Sequence, residues 1–249
     1  MTEPVITRSK PDAPDWNGEG AVLLVDKPLD WTSFDVVKKI RGLFGIRKIG
    51  HAGTLDPKAS GLLIVCTGPR TKDASSFADL GKVYTGSLEL GIVTPSFDGE
   101  TEIGERRSVD GITDERVRSA VRGFLGLQLQ TPPMYSAAKY GGKPLYTYAR
   151  RGETVIRSPK EIEVTEFAVT GFNLPFVEFR VLCSKGTYVR SLVHDLGEAL
   201  GCGAVLRMLR RSAIGPYHVD EAFGIEDLIA LRDTMKDPLK SYARRAPAT

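Results

Sequence analysis

The chain has 249 residues, a formal net charge of +3 at neutral pH, 41% hydrophobic residues and 26% charged residues. Such a chain buries a hydrophobic core unaided, so these values exclude a disordered protein, a collagen-like fibre and a disulfide-rich miniprotein. Cys66, Cys183 and Cys202 lie far apart, which excludes a four-cysteine zinc site and indicates reduced thiols in a cytoplasmic protein. No stretch approaches the roughly 20 apolar residues that a membrane span needs, so we expect no membrane association.

The N-terminal third begins with a polar segment and continues with short apolar runs. Residues 1–19 are rich in Pro and Gly and lack the pattern of a signal peptide, so we expect a flexible leader. Ser33 is a candidate N-cap for the helix that follows it. The predicted elements are strands over residues 21–25 and 62–67 and helices over residues 34–44 and 71–80.

The middle of the chain contains the clearest strand pattern. Residues 82–90 alternate between two faces, one of which includes Tyr84, and this alternation predicts a strand. Residues 94–109 are predicted to form an acidic loop. Thr113 then predicts the start of a helix that reaches about Phe124.

Residues 130–152 combine three prolines, four tyrosines and several basic residues. This composition predicts a long loop that leads into a short helix before Gly152. Loops of this length in a compact domain are usually functional or disordered. Tyrosines mixed with cations suit stacking on nucleic-acid bases beside phosphates, and inward packing of half of the tyrosines fits the composition equally well.

The C-terminal part mixes strands and helices without regular alternation. We therefore expect an α+β fold whose central sheet is mixed or antiparallel and flanked by helices. The predicted elements are strands over residues 162–170 and 176–184, a helix over residues 188–200 that Gly201 ends, a short apolar run over residues 204–209, and a helix over residues 225–231.

The charges are separated along the chain. Residues 38–72 contain eight Lys or Arg and a single acid, Asp56, and residues 179–215 contain six basic residues against two acids. Residues 93–115 contain seven acids against two arginines. Separated basic segments fit a protein that holds a polyanion on one face, although charge alone favours ordinary solvated positions.

Several common catalytic signatures are absent from the sequence. It has no G-x-S-x-G elbow, no complete glycine pattern for a dinucleotide or phosphate, and no metal-ligand spacing among His51, His194 and His218. We therefore expect neither a metal nor a cofactor. The segment Gly50–Pro57 is more informative, because Asp56 is a lone carboxylate among cations and would stay ionised as a nucleophile or charge stabiliser. An Asp before Pro is also a common turn residue.

Two further segments contain candidate functional residues. Arg190 falls in the first turn of a predicted helix, where the helix dipole disfavours a cation. A carboxylate or phosphate partner is one reason for a cation at this place. Its structural alternatives are a pair with Glu198 or exposure to water. Tyr84 is the other candidate, and its structural alternative is a place in the core.

Taken together, these segments resemble the TruB family of tRNA pseudouridine synthases. Each motif is weak alone, but the ordered set from about residue 20 to residue 215 is highly specific. The matching stretches are Asp26–Pro28, Thr32–Ser33, Gly50–Pro57, Thr71–Lys72, Lys82–Tyr84, Thr94 with Asp98, Pro133–Lys139, Ser184–Ser191 and Leu209–Arg211.

The resemblance implies an enzyme that isomerises uridine 55 in the T loop of tRNA to pseudouridine without a metal or cofactor. The glycosidic bond breaks, the base rotates and a carbon–carbon bond forms. Asp56 is then the catalytic carboxylate, and Arg190 pairs with it. Whether Asp56 attacks C1′, attacks C6 or removes a sugar proton stays open.

The resemblance also implies a set of residues that bind the substrate. Tyr84 stacks on the flipped base, and Tyr188 and Leu209 line the uracil pocket. His51 fills the space that the flipped nucleotide leaves. Lys27, in the first matching stretch, is also expected to contact the substrate.

The implied architecture is the pseudouridine synthase fold. Residues 20–232 form one catalytic domain, with residues 130–152 as an inserted RNA-clamp loop. Residues 233–249 form a short tail, too short for the RNA-binding PUA domain that many members carry. We expect a monomer that binds the T stem-loop of tRNA without a guide RNA.

Three other functions remain as alternatives. A non-catalytic tRNA chaperone that opens the T loop would need the basic surface and Tyr84 but not Asp56. A guide-RNA-dependent synthase would need partner subunits, and a small-molecule glycosidase would leave the basic segments unexplained. The effect of Asp56→Asn separates the chaperone from the enzyme.

Overall fold

The computed structural model describes residues 5–11 and 14–236. The described residues divide into two compact units, the first within residues 1–80 and 210–249 and the second formed by residues 81–209. The sequence predicted a single domain over residues 20–232. The division arises because the chain leaves the first unit after Leu80 and returns to it at Arg210, a long-range connection that local sequence patterns do not reveal.

Strands and short helices alternate irregularly along the chain. The strands are β1 (Val5–Ile6), β2 (Val22–Lys27), β3 (Ile49–Ala52), β4 (Ala59–Thr67), β5 (Lys82–Leu90), β6 (Ile92–Val93), β7 (Glu105–Arg106), β8 (Gly126–Gln130), β9 (Lys139–Tyr140), β10 (Lys143–Pro144), β11 (Lys160–Asn173), β12 (Phe176–Cys183), β13 (Ala204–Ile214) and β14 (Tyr217–His218). The helices are α1 (Ser33–Phe44), α2 (Ala74–Asp79), α3 (Asp114–Arg122), α4 (Leu145–Ala149), α5 (Val189–Leu200) and α6 (Ile225–Lys236), with 3₁₀ turns over Gly68–Asp73 and Val219–Glu221.

The first unit contains a mixed sheet with an apolar cluster on each face. β1 pairs with β2 in parallel, and β2 and β3 both pair with β4 in antiparallel fashion. Leu23 and Val25 belong to one buried cluster, whereas Val22 and Leu24 belong to the other. Because successive strand residues point to opposite faces, a strand covered on both faces reads as the continuous apolar run seen in the sequence.

The second unit contains an antiparallel sheet in the order β5, β12, β11, β8. β5 spans the predicted residues, and its buried side includes Tyr84, Leu88 and Leu90. Thr113 caps α3 through its side-chain oxygen, as predicted. α5 also begins and ends within a residue of its prediction, with Gly201 as its left-handed C-cap. Together the two units confirm an α+β chain with mixed and antiparallel sheets and accompanying helices.

The expected flexible leader is wrong for the part of residues 1–19 that the structure describes. Val5–Ile6 form β1, and Trp16 is buried with its ring centroid 4.6 Å from that of Phe44. The polar composition concealed these isolated apolar anchors, whose burial is favourable wherever a groove accepts them. Residues 1–4, 12 and 13 lie outside the described residues, as do residues 237–249 of the predicted tail.

One local prediction needs correction and another needs more detail. Thr32, not Ser33, is the N-cap of α1, and it forms a reciprocal capping box with Asp35. The helical segment predicted over residues 71–80 is confirmed and consists of the end of a 3₁₀ turn followed by the short α2. Pro69 enters this turn near its start, and the segment lacks the apolar repeat that stabilises a longer helix.

Candidate catalytic and RNA-binding residues

Asp56 lies on the loop between β3 and β4, and the structure holds the backbone of this loop at successive peptide groups. The guanidinium of Arg211 donates to the carbonyl of Gly53 at 3.1 Å and to that of Thr54 at 3.5 Å. Gly53 has φ +85°, a left-handed conformation that glycine adopts without steric cost. The loop therefore turns sharply before Asp56 and is fastened at that turn.

The peptides around Asp56 are held in the same way. The Ser33 hydroxyl accepts from the Leu55 N–H at 2.9 Å and also lies 3.3 Å from the Leu55 carbonyl. The Asp56 carbonyl accepts from the Ala59 N–H at 3.0 Å. The Pro57 carbonyl accepts from the Asp30 N–H at 2.9 Å.

Five successive carbonyls, from residue 53 to residue 57, therefore have a donor. Backbone polar groups that are removed from water need hydrogen-bond partners. In this loop, which is neither helix nor strand, side chains and other backbone groups supply them. The Asp56 side chain, which is only partly buried, thus stands on a backbone with little freedom to move. Such a loop can present a carboxylate in one fixed orientation, as catalysis requires.

Lys27 binds backbone carbonyls of the Asp56 loop and of the segment that precedes α1. Its side chain is fully buried, and its ammonium donates to the carbonyls of Trp31, Pro28 and Pro57 at 2.6, 2.9 and 3.4 Å. Three carbonyl partners use the three N–H donors of an ammonium. Burial lowers the pKa of Lys27 to about 8, although the charge of Asp56 opposes this shift. The structure shows that the Lys27 ammonium binds backbone carbonyls, and the substrate contact expected for Lys27 stays a prediction.

His51 lies on β3 and is partly buried. Burial lowers its pKa, and the positive charge of Arg211 lowers the pKa further. The imidazole is therefore neutral at pH 7. A neutral ring suits stacking or space filling, the role implied for His51, better than a phosphate contact.

Arg190 is buried in the second unit and has an anionic partner, as its helix position suggested. Its guanidinium lies 3.5 Å from the carboxylate of Asp98, and both side chains are less than a tenth exposed. It also donates to the carbonyls of Ser96 at 3.0 Å and Tyr135 at 2.9 Å. Glu198, the alternative partner, instead pairs with Arg107 at 2.7 Å.

The remaining candidate residues of the second unit are Tyr84, Tyr188 and Leu209. Tyr84 is 8% exposed on β5, and Leu209 is partly buried on β13. Tyr188 is partly buried at the N-cap of α5. The buried side chain of Gln130 accepts from the Tyr188 N–H at 2.8 Å and donates to its carbonyl at 3.1 Å. Gln130 thus fixes the backbone of Tyr188, a role that the sequence did not suggest.

Residues 130–152 form a small hairpin, β9 with β10, followed by α4. The loop and short helix predicted from composition are confirmed. Tyr140 and Tyr148 stack edge to face at 5.9 Å, and the guanidinium of Arg150 lies 5.3 Å from the ring centroid of Tyr146. Tyr140 and Tyr146 are exposed, so this segment presents aromatic rings beside cations at the surface.

A cavity of about 350 Å³ lies beside this segment in the second unit. Its lining includes Phe97, Met134, Tyr135 and Arg157. Tyr135 links the cavity to Arg190, because its carbonyl accepts from that guanidinium. Its walls combine apolar side chains with the cation of Arg157 and the carboxylate of Glu153.

Within residues 5–11 and 14–236, no three His, Cys, Asp or Glu side chains are grouped as a metal site. No helix of this part of the chain is long and apolar enough to cross a membrane.

Two family models match the chain. The TruB family pseudouridylate synthase N-terminal domain matches residues 41–189, and the tRNA pseudouridylate synthase B C-terminal domain matches residues 190–245. The chain belongs to the TruB family. It is therefore an enzyme of the isomerase class that converts uridine to pseudouridine in tRNA. The second family model matches residues 190–245, so it includes residues 233–245 of the predicted tail.

Curated TruB relatives match most of the chain. The tRNA pseudouridine synthase B of Chloroherpeton thalassium is 48% identical over 216 residues, which cover 85% of this chain and 90% of that protein. The protein of the same name from Chlorobaculum tepidum is 47% identical with the same coverage.

Solved structures show the same fold. A chain of a Cbf5–Nop10–Gar1 complex matches with a TM-score of 0.71 and 28% identity, covering 96% of this chain and 63% of that chain. A chain of an archaeal box H/ACA Nop10–Cbf5 complex matches with a TM-score of 0.67 and 26% identity, covering 98% of this chain and 68% of that chain. The pseudouridine synthase fold of this TruB protein is thus confirmed.

Proposed function

We propose that this TruB enzyme acts on uridine 55 in the T loop of tRNA. In the reaction the N1–C1′ bond breaks, the uracil rotates and a C5–C1′ bond forms. The hydrogen on C5 leaves as a proton, and N1 gains a proton, so substrate and product have the same composition. No redox step or co-reactant is needed.

Asp56 is the proposed catalytic carboxylate, and the held loop around it is the observation that carries this assignment. Cleaving a glycosidic bond develops positive charge at C1′, which a fixed carboxylate can stabilise or trap, as in glycosidases. Hydrogen bonds to five successive carbonyls restrain the backbone of residues 53–57, which carries this carboxylate. A restrained Asp56 is compatible with attack at C1′, with attack at C6 and with removal of a sugar proton.

The second unit supplies the proposed groups for the base. A stacked base in an RNA loop must be extruded before it can react, which costs a few kcal/mol. Stacking on an aromatic ring such as Tyr84 recovers roughly 1–3 kcal/mol. Tyr188 and Leu209 are the proposed walls of the uracil pocket, and Arg190 is the proposed cationic partner of the reacting groups.

The RNA footprint is proposed to include the exposed cations of residues 38–72, such as Lys38, Arg47 and Lys48, and the surface of residues 130–152. In the basic segment of residues 179–215, Arg190 and Arg211 are buried and are not part of this footprint. Lys and Arg side chains bind phosphates through charge, and the exposed Tyr140 and Tyr146 offer rings for stacking. We propose that residues 130–152 close over the T stem-loop as a clamp. The enzyme is proposed to act in the cytoplasm as a monomer without a guide RNA.

Position mapping tests this proposal. An unmodified tRNA transcript is incubated with the enzyme alone, and pseudouridine is located by carbodiimide labelling and primer extension. We expect one new stop, at the position that reports residue 55, and none with a matched transcript that carries C at position 55. Pseudouridine at another position, or formed only when a guide RNA is added, would overturn the assignment.

A further inference from the structure

Arg211 is the largest fully buried side chain in the described part of the protein, and its guanidinium points to the Asp56 loop. It is 1% exposed. It donates three hydrogen bonds, each to a backbone carbonyl: Leu62 at 2.7 Å, Gly53 at 3.1 Å and Thr54 at 3.5 Å. One planar group thus joins a residue of β4 to two residues of the loop.

The other end of Arg211 is fixed as well. Gly61, on β4, has φ +106°, and a Cβ built on it would lie 2.3 Å from the Arg211 carbonyl oxygen and 2.7 Å from its nitrogen. The Arg211 backbone therefore packs directly against β4 at a position that admits only glycine. The Arg211 backbone packs against β4, and its guanidinium binds the carbonyls of the Asp56 loop. The side chain therefore connects β4 to this loop.

The choice of arginine has a physical reason. A guanidinium presents donors in a fixed planar fork, which can reach three carbonyls at once. The three bonds of Arg211 come from three different nitrogens, Nε to Leu62, Nη1 to Thr54 and Nη2 to Gly53. A single lysine nitrogen serves three carbonyls only where they converge on one point, as they do around Lys27. A simple space-filling or charge-balancing role would not require that fork.

We propose that Arg211 is a positioning residue that sets the placement of the Asp56 carboxylate through the carbonyls of Gly53 and Thr54. The inference rests on the proposed catalytic role of Asp56. Only Leu55 stands between Thr54 and Asp56 in the chain, so a shift of the loop at its bound carbonyls moves the carboxylate directly. A misplacement of about 1 Å can cost about 100-fold in rate while substrate binding elsewhere stays intact.

The test compares Arg211→Lys with Arg232→Lys, the same chemical change at an arginine that pairs with Asp233 on the surface of α6. Three quantities are measured: the single-turnover rate at saturating tRNA, the Kd for tRNA, and thermal unfolding. For Arg211→Lys we expect a rate loss of about 100-fold, a Kd within about twofold of wild type, and a folded protein at the assay temperature. Arg232→Lys should match wild type in all three.

Each outcome decides the inference. A folded Arg211→Lys enzyme whose rate at saturating tRNA lies within about twofold of wild type overturns the inference. A loss of activity that appears only below saturation and follows a weaker Kd for tRNA overturns it as well. Because a buried cation can be essential for folding, Arg211→Gln is measured in parallel. If neither variant folds at the assay temperature, Arg211 is a structural residue and the inference fails.

Asp56→Asn in the same assay distinguishes a failure of the catalytic assignment of Asp56 from a failure of the positioning role of Arg211. If Asp56→Asn keeps the wild-type rate, the catalytic assignment itself is wrong. If Asp56→Asn is inactive and Arg211→Lys is fully active, the assignment stands and only the role of Arg211 is refuted.

Discussion

Burying a cation costs several kcal/mol unless fixed dipoles or a counter-charge replace the lost water. Lys27, Arg190 and Arg211 meet this condition in different ways. Lys27 and Arg211 donate to backbone carbonyls, whereas Arg190 combines two carbonyls with the carboxylate of Asp98. Each of these side chains therefore orders the polar groups around it.

The sequence revealed the partners of these buried cations only in part. The helix position of Arg190, which is unfavourable for a cation, indicated an anionic partner as one explanation, and Asp98 supplies that anion. Lys27 and Arg211 lie in stretches that resemble the family, but nothing in the sequence around them, or around Gln130, indicated that they bind backbone groups. Their roles depend on carbonyls that come from distant parts of the chain, and no local pattern reports where a backbone oxygen will be.

The contact between Asp98 and Arg190 predicts how a single substitution changes stability. Asp98→Asn removes one of the groups that compensate the buried charge of Arg190, while the carbonyls of Ser96 and Tyr135 remain, so we expect a cost of about 1–3 kcal/mol. Asp98→Asn should therefore lower the free energy of unfolding by about that amount, measured by urea denaturation, and should also slow the reaction at saturating tRNA.

Glu198→Gln is the matched control, because Glu198 lies on the same helix as Arg190 but pairs with Arg107 at the surface. Surface pairs often contribute nothing measurable, so this variant should match wild type in stability. Equal losses in the two variants would show that Asp98 and Arg190 do not form a stabilising buried pair.

At the scale of elements, the prediction succeeded where a local pattern alone determines the structure. β5 and α5 have regular apolar spacing, and Thr113 and Gly201 are residue types that cap helices. The helical prediction over residues 71–80 is confirmed, but the sequence did not show that a 3₁₀ helix and the short α2 divide this segment. Trp16 is a similar case, because one aromatic ring anchors a segment whose average composition is polar.

The packing of β4 gives a prediction for a whole element. Gly61 has a left-handed φ, and a Cβ there would collide with the backbone of Arg211, which cannot move away as a flexible side chain could. Gly61→Ala should therefore destabilise the protein by about 3 kcal/mol or more, measured by urea denaturation.

Gly50→Ala on the neighbouring β3 provides the comparison, since a Cβ there meets nothing within 4 Å. It should change the free energy of unfolding by less than about 0.5 kcal/mol. If Gly61→Ala is equally harmless, β4 and the Arg211 backbone are not in close contact.

At the scale of the whole molecule, the candidate residues are divided between the two units. Asp56, His51 and Arg211 belong to the first unit, and Tyr84 and Arg190 belong to the second. The fold class, the family and the motif residues were readable from the sequence because ordered motifs span most of the chain. The division into units was not, because it depends on the return of the chain to the first unit after Leu209.

The central claim is that Asp56 carries out the isomerisation. Forming the C5–C1′ bond expels the hydrogen on C5, so tritium release from tRNA labelled at uridine C5 reports the reaction directly. The measurement compares wild type with Asp56→Asn, without added metal or guide RNA, and a filter-binding assay checks that both bind tRNA. We predict stoichiometric release by wild type and no detectable release by Asp56→Asn with tRNA binding retained. Release by the variant at the wild-type rate, or tight binding without release by wild type, would contradict the account.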